Sequence, residues 1–140
     1  MKKKTNWFWN VIIVLTLIGC TLAFGLHYKN WTNIEEGHLK ITSGIYRQQI
    51  PLETINEMQF VEKLPQMQRE SGFSWLAKEK GLFLDSLTGR KVHVFVDDLR
   101  QQKLRIVHND SLELYLNLTD SLETQKLYEE LNTDLAVSGE

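Results

Sequence analysis

The N-terminal part of the chain contains an uninterrupted apolar segment, and this segment limits what the chain can become. From Trp7 to Leu26 run 20 residues without a charged side chain. At about 1.5 Å per residue, a helix of this length spans the roughly 30 Å hydrocarbon core of a bilayer. The sequence therefore predicts a transmembrane helix over residues 7–26, preceded by a basic tail over residues 1–6.

The charges that flank the apolar segment predict its orientation. Lys2, Lys3 and Lys4 precede it, whereas Glu35 and Glu36 follow it. Positively charged residues are retained on the cytoplasmic side of a membrane. We therefore expect a cytoplasmic N-terminus, a single pass through the cell membrane, and a domain outside the cytoplasm.

Two other interpretations of the apolar segment would also place the domain outside the cytoplasm. The sequence LIGC, which ends at Cys20, resembles the lipobox of bacterial lipoproteins, in which the cysteine carries the lipid. Lipoproteins usually turn polar just after this cysteine, whereas here the apolar run continues to Leu26. A cleaved signal, with Ala23 and Gly25 at its cleavage site, is the other alternative. The transmembrane helix is favoured, and Cys20 is the candidate lipidation site in the lipoprotein alternative.

Length, cysteine content and charge limit the rest of the chain. Residues 27–140 suffice for one modest hydrophobic core without disulfides, and Cys20 is the only cysteine. All 18 acidic residues follow Leu26, whereas three of the 16 basic residues precede it. The domain is therefore mildly acidic, and it lacks the basic stripe that binds a phosphate backbone. Nucleic acid is not an expected partner.

The pattern after a polar tether over residues 27–37 is that of strands. Apolar and polar residues alternate along residues 90–96, 103–108 and 112–118. Turn residues at 109–111 predict a hairpin between the last two of these strands, and turn residues at 88–89 predict one between residues 82–85 and 90–96. Earlier strands are expected over residues 38–42, 44–50 and 55–60. Residues 61–80 fit either a long loop or an irregular pair of strands.

The chain closes with a predicted helix. Asp120 and Glu123 resemble a capping box, and apolar residues then recur at helical spacing: Leu127, Tyr128, Leu131 and Leu135. Six or seven antiparallel strands capped by one C-terminal helix form the outline of a mainly β, pleckstrin-homology-like (PH-like) barrel or sandwich. We expect this domain over residues 38–135, followed by a tail over residues 136–140.

Several segments also resemble the bacterial PH-like domains. The likeness covers roughly residues 44–131 and is carried by QIPLETI at 49–55, Leu64-Pro65, Arg69, Gly72, GLF at 81–83, GRKV at 89–92, LNLTD at 116–120, Thr124, Leu127, Tyr128 and Leu131. Most of these positions are turn glycines and core residues that any such barrel needs. The resemblance therefore implies a fold, and members of that family largely lack an assigned activity.

Residues able to carry chemistry are scattered along the chain. No two of the four histidines, His27, His38, His93 and His108, are spaced as metal ligands. Asp97 and Asp98 are neighbours in an extended chain and point to opposite sides, which favours a solvated turn. No nucleophile elbow or phosphate loop is present. We therefore expect no enzyme, no metal and no cofactor; an active site would have to combine residues such as His93, His108 and Asp97.

The basic residues of the domain suggest no phosphoinositide site. The loop between the first two strands, which is basic in lipid-binding PH domains, offers only Lys40 and Arg47. The densest basic set is interpreted as solvated turn residues: Lys78, Lys80, Arg90 and Lys91.

These features predict a binding or scaffold module at the outer face of a membrane, engaging another membrane or envelope protein. PH-like domains can present a strand edge beside the capping helix, to which a partner peptide adds as a further strand. Leu127 and Leu131 would line that groove, unless they fill the core. The alternative function is a ligand-binding or lipid-binding sensor that uses the mouth of the barrel.

Overall fold

The computed structural model describes residues 6–139, and within that range the side chains of all residues except His27 and Phe73. This range contains an N-terminal helix, nine strands in two sheets, and a C-terminal helix. The predicted class is confirmed: a mainly β domain of PH-like type with one C-terminal helix and one apolar N-terminal helix. Predictions on Lys2, Lys3, Lys4 and Glu140 fall outside the described residues.

The first sheet follows the N-terminal helix directly. Helix α1 spans Trp7–Tyr28, and the next three strands form an antiparallel sheet in the order β1-β2-β3. Their bounds are Trp31–Glu35 for β1, His38–Ser43 for β2 and Tyr46–Pro51 for β3. A short 3-10 helix, Leu52–Thr54, leads into the second sheet.

The second sheet has six strands in the order β4-β8-β9-β7-β6-β5. Their bounds are Ile55–Val61 for β4, Met67–Trp75 for β5, Lys78–Asp85 for β6, Lys91–Val96 for β7, Lys103–His108 for β8 and Leu112–Asn117 for β9. Helix α2, Ser121–Ser138, closes the domain. It extends three residues beyond the predicted end, into the segment expected to be a tail.

The structure has more strands than the predicted six or seven, and one reason is that part of the expected tether is a strand. Strand β1 pairs with β2 along its whole length, with Ile34 opposite Leu39. Ile34 is the only strongly apolar residue that β1 turns toward the core, so the sequence carries little sign of a strand. Residues 27–37 are therefore not a free tether.

The second reason lies in the segment over residues 61–80, which forms an irregular strand pair rather than a loop. Gly72 and Gly81 face each other across β5 and β6. A Cβ atom at Gly72 would lie 2.3 Å from the carbonyl oxygen of Lys80, so the two backbones touch. The sheet also contains one parallel pairing, between β7 and β9, where purely antiparallel strands were predicted.

The hydrophobic core combines residues of both sheets with α2. Its fully buried members include Leu39, Ile41, Leu104, Ile106, Leu114, Leu116 and Leu131. Burying each such side chain contributes roughly 1.5–3 kcal/mol. Val92, Val94 and Val96 belong to a second cluster with Phe83 and Tyr115. The valine row predicted for β7 therefore faces the core, as do Leu114, Leu116 and Leu118 of the row predicted for β9, whereas Leu112 is exposed.

Local signals for the last hairpin and the last helix are confirmed. Asn109 and Asp110 have φ values of 48° and 67°, the left-handed pair that tight hairpins between twisted strands require. The Oδ1 atom of Asp120 accepts a hydrogen bond from the Leu122 N–H at 2.9 Å, which caps α2. Thr124 Oγ1 accepts one from the Leu118 N–H at 2.9 Å and binds the cap to the end of β9.

Candidate functional site

Helix α1 is long and apolar enough to cross a membrane. Residues Trp7–Leu26 have a mean hydropathy of 2.1, and no residue of this segment is buried, although Phe24 near its end contacts the domain. The hydroxyls of Thr16 and Thr21 donate to the carbonyls of Ile12 and Leu17, each at 2.8 Å, so these polar groups are satisfied within the helix. The exposed surface of α1 is thus predominantly apolar.

The chain is fixed to the domain immediately after α1. Asn30 is only 1% exposed, and its side-chain amide donates to the carbonyls of Phe95, at 2.6 Å, and Asn117, at 2.9 Å. Its backbone N–H donates to both carboxylate oxygens of Asp97, at 3.2 and 3.1 Å. These partners lie at the neighbouring ends of β7 and β9. Helix α1 therefore leads into the domain without a flexible linker.

A buried ion pair lies directly behind Asn30. Lys80 Nζ is 2.8 Å from Asp97 Oδ1, and both side chains are 0% exposed. The second oxygen of Asp97 accepts a hydrogen bond from Thr119 Oγ1 at 3.0 Å. Burial lowers the pKa of Lys80, and the hydrogen bond to Asp97 opposes this shift. Lys78 is also buried, and its Nζ donates to the Asp97 carbonyl at 3.2 Å.

These positions correct two sequence-based interpretations. Lys78 and Lys80 are not solvated turn residues, and Asp97 is not part of a solvated turn. No local pattern could reveal this, because the counter-charge of Lys80 comes from the turn after β7, 17 residues further along the chain. Arg90 and Lys91 do lie at an exposed turn and strand start, as expected.

Asn117 shapes the turn that follows β7. Its Oδ1 accepts hydrogen bonds from the N–H groups of Asp97, at 2.7 Å, and Asp98, at 3.1 Å. Its Nδ2 donates to the carbonyls of Asp98, at 2.7 Å, and Gln102, at 3.3 Å. We call the set Asn30, Lys80, Asp97, Asn117 and Thr119 the junction, because it joins α1 to three strands.

The turn between β5 and β6 lies against the last turns of α1. The ring centroids of Trp75 and Phe24 are 6.2 Å apart in an edge-to-face arrangement. Lys78 Nζ lies 4.2 Å from the centroid of the Tyr28 ring. Residues Trp75–Ala77 form what we call the hairpin tip, in which Leu76 is 90% exposed. Beneath it is a cavity of about 180 Å³ that reaches Asp97 and Thr119.

The two leucines predicted to line a partner groove lie in the core. Leu127 is 6% exposed and Leu131 is 0% exposed, and both pack in the main hydrophobic cluster. The structure therefore supports the alternative that these leucines fill the core. Helical spacing alone could not distinguish the two outcomes, because a core face and a groove face both need apolar residues.

An open groove does exist beside these leucines, between the first turns of α2 and strand β4. It has a volume of about 430 Å³ and is lined by Phe60, Gln101, Gln102, Ser121, Thr124 and Gln125. Strand β4 is an edge of the six-stranded sheet and pairs there only with β8. We call this feature the α2–β4 groove. Its glutamines carry no periodic signal, so the sequence did not identify it.

A larger cleft lies at the other end of α2. Its volume is about 560 Å³, and Glu35, Glu36, Glu53 and Asp134 contribute carboxylates to its wall. Helix α2 starts near α1, where Lys29 Nζ is 3.8 Å from Glu123. Its 18 residues extend roughly 27 Å from there. We call this feature the distal cleft, because it lies at the end of the domain away from α1.

Of the residues considered for catalysis, His93 and His108 lie close enough to interact electrostatically, but Asp97 does not join them. Burial lowers the pKa values of His93 and His108, and the charge of His108 further lowers that of His93. Asp97 is four residues beyond His93, roughly 13 Å along the chain, and is paired with Lys80. Within residues 6–139, no three His, Cys, Asp or Glu side chains are placed to hold a metal ion. Cys20 is exposed on α1.

Comparison with known proteins agrees with this architecture. No curated protein and no solved structure matches the chain. The family model described as "Bacterial PH domain" matches residues 32–114, which run from β1 to the first half of β9. This match covers more than half of the chain, and the chain therefore belongs to the bacterial PH domain family.

Proposed function

We propose that this protein is a non-catalytic binding module, anchored in the cell membrane by α1, that engages another membrane or envelope protein. The observation that carries the proposal is the junction: Asn30, two residues after α1, makes four buried hydrogen bonds to the domain. A span joined in this way holds the domain at the membrane surface in one orientation. Such an arrangement suits recognition of a partner in the same membrane better than capture of a diffusing substrate.

The α2–β4 groove is our candidate partner site. Gln101, which lines it, donates to the carbonyl of Thr119 at 3.1 Å, so the groove opens beside the junction. The free edge of β4, on the side away from β8, would offer main-chain groups to an extended peptide, and the groove that Phe60 of β4 lines would take its side chains. The proposed partner segment is thus an extended stretch close to the membrane surface, added alongside β4.

Crosslinking in cells tests this proposal. A photo-crosslinking amino acid at Gln125, in the groove, should give one dominant adduct with a membrane or envelope protein. The matched control is the same amino acid at Glu130, an exposed position of α2 outside the groove. If both positions gave adducts with the same unselective set of membrane proteins, the proposal would be contradicted.

The proposed topology places the N-terminus in the cytoplasm and the domain outside. In a Cys20→Ser background, Leu87→Cys puts a thiol at a turn where the leucine is 89% exposed. A membrane-impermeant thiol reagent should label this variant in intact cells. Labelling that occurs only after lysis would show that the domain faces the cytoplasm, which would contradict the proposed topology. The intact mass separates the two anchors, because a lipoprotein would begin at a diacylated Cys20 and a transmembrane protein would keep its N-terminal segment.

The distal cleft favours a second candidate function, a ligand-binding or lipid-binding sensor. Its volume falls within the roughly 300–1,000 Å³ of small-molecule sites. Glu36, Glu53 and Asp134, together with the C-terminal end of α2, would suit a positively charged group, whereas Glu35 is already paired with Lys40. A panel of cationic envelope metabolites and lipids should then raise the melting temperature of the full chain in detergent, and Glu53→Gln should weaken the effect. No response across the panel would exclude this candidate.

A further inference from the structure

The hairpin tip is an apolar projection in a mostly polar surface. Residues 71–77, SGFSWLA, carry no charge. Trp75 is 51% exposed and Leu76 is 90% exposed. The nearest lysines that follow, Lys78 and Lys80, turn their side chains into the domain. Charged groups lie beside the tip rather than on it: Arg69 donates to Ser74 Oγ at 3.0 Å, and Arg100 lines the small cavity beneath Leu76.

The backbone at the tip adds a second indication. Leu76 has a φ of 51°, in the left-handed region that glycine and asparagine favour. A turn in water would ordinarily place one of those residues here. A leucine at this position adopts an uncommon backbone conformation and, next to Trp75, exposes a contiguous apolar patch. Such a patch marks a surface that contacts an apolar partner or medium.

The contact with α1 indicates which medium that is. Phe24 belongs to the apolar segment Trp7–Leu26, and its ring touches that of Trp75. In a bilayer crossed by α1, Trp75 is therefore held at the depth of Phe24, inside the end of the apolar segment. Tyr28 and Trp31, each about half exposed, follow at the level where aromatic rings favour lipid headgroups.

We infer that the hairpin tip inserts into the leaflet that surrounds the C-terminal end of α1 and gives the domain a second contact with lipid. Trp75 packs beside the helix at the interface, and Leu76 enters the acyl region. This inference rests on the proposed membrane anchor. Together with the junction, it fixes the tilt of the domain and therefore the direction in which the α2–β4 groove faces.

Fluorophore depth measurements on the full chain test the inference. An environment-sensitive thiol probe is placed at Leu76→Cys or at Leu87→Cys, both in a Cys20→Ser background, and at the native Cys20. Leu87 is the matched control, since it is an equally exposed leucine in a turn at the other end of β6, roughly 26 Å from the tip. The chains are reconstituted in phosphatidylethanolamine–phosphatidylglycerol vesicles with and without brominated acyl chains.

We expect brominated lipid to reduce fluorescence at Cys20 and at Leu76→Cys, with no loss at Leu87→Cys. Aqueous iodide should quench in the reverse order. The inference would be overturned, and the anchor retained, if brominated lipid quenched the probe at Cys20 but quenched the Leu76→Cys and Leu87→Cys probes to the same extent. Absence of lipid quenching at Cys20 would overturn the anchor and this inference with it.

Discussion

Lys80 Nζ lies 2.8 Å from Asp97 Oδ1, and neither side chain has exposed surface. This pair connects β6 to the turn after β7, and the same carboxylate receives the N–H of Asn30 as the chain leaves α1. A charge buried in this way depends on its partner, because an unpaired charge in the protein interior is strongly unfavourable. The attachment of α1 and the stability of the domain are therefore coupled.

Asp97→Asn should destabilise the domain severely. The substitution leaves Lys80 buried without its counter-charge, and breaking such a pair costs about 3–5 kcal/mol. Urea unfolding of the full chain in detergent measures the change. The control is Glu35→Gln, which removes the exposed 2.9 Å pair with Lys40 and should cost no more than about 1 kcal/mol. Similar costs for both variants would show that the buried pair is not required for stability.

Asn30→Ala should loosen the connection between α1 and the domain. It removes two side-chain hydrogen bonds and leaves the carbonyls of Phe95 and Asn117 buried without this donor, a loss of about 1–3 kcal/mol. We expect faster hydrogen exchange in β1 and faster proteolysis between α1 and β1. Asn33→Ala, at an exposed position of β1, should change neither rate. Unchanged rates in Asn30→Ala would contradict a rigid junction.

Gly72→Ala should disrupt the β5–β6 hairpin. The added Cβ would lie 2.3 Å from the Lys80 carbonyl oxygen, so the two backbones would have to separate. Overpacking of this kind costs about 1–3 kcal/mol or more. The melting temperature of the full chain reports the effect, with Ser71→Ala at the exposed neighbouring position as control. Equal melting temperatures for the two variants would refute the close approach.

The ionisation of Tyr115 should make the domain less stable at alkaline pH. Burial and the neighbouring Glu113 raise the pKa of Tyr115 to about 12, from 10.0. Between these values the unfolded chain loses the phenolic proton while the folded chain keeps it, so stability falls as the pH rises. The free energy of unfolding of the wild type should therefore decline relative to that of Tyr115→Phe from pH 10 to about 12. A constant difference would show that Tyr115 titrates normally.

Local chemistry was enough to predict both helices and the hairpins β6–β7 and β8–β9. The segment Trp7–Leu26 indicates a span by its own hydropathy, and Asp120 caps α2 through a residue two positions away. The turn at Asn109 and Asp110 likewise depends on the φ preferences of those two residues. Each of these signals is complete within a few neighbouring positions, so no knowledge of the rest of the fold is needed.

Tertiary structure alone decided which residues the candidate site contains. Lys80 resembles a surface lysine in the sequence, and it is buried only because the sheet places Asp97 beside it. Leu127 and Leu131 suit a groove as well as a core, and packing assigned them to the core while the groove formed beside β4. In the sequence nothing distinguishes Trp75 from the other aromatic residues, and only the fold places the ring of Phe24 in α1 against it. Burial and pairing depend on groups far apart along the chain, and only the folded topology brings such groups together.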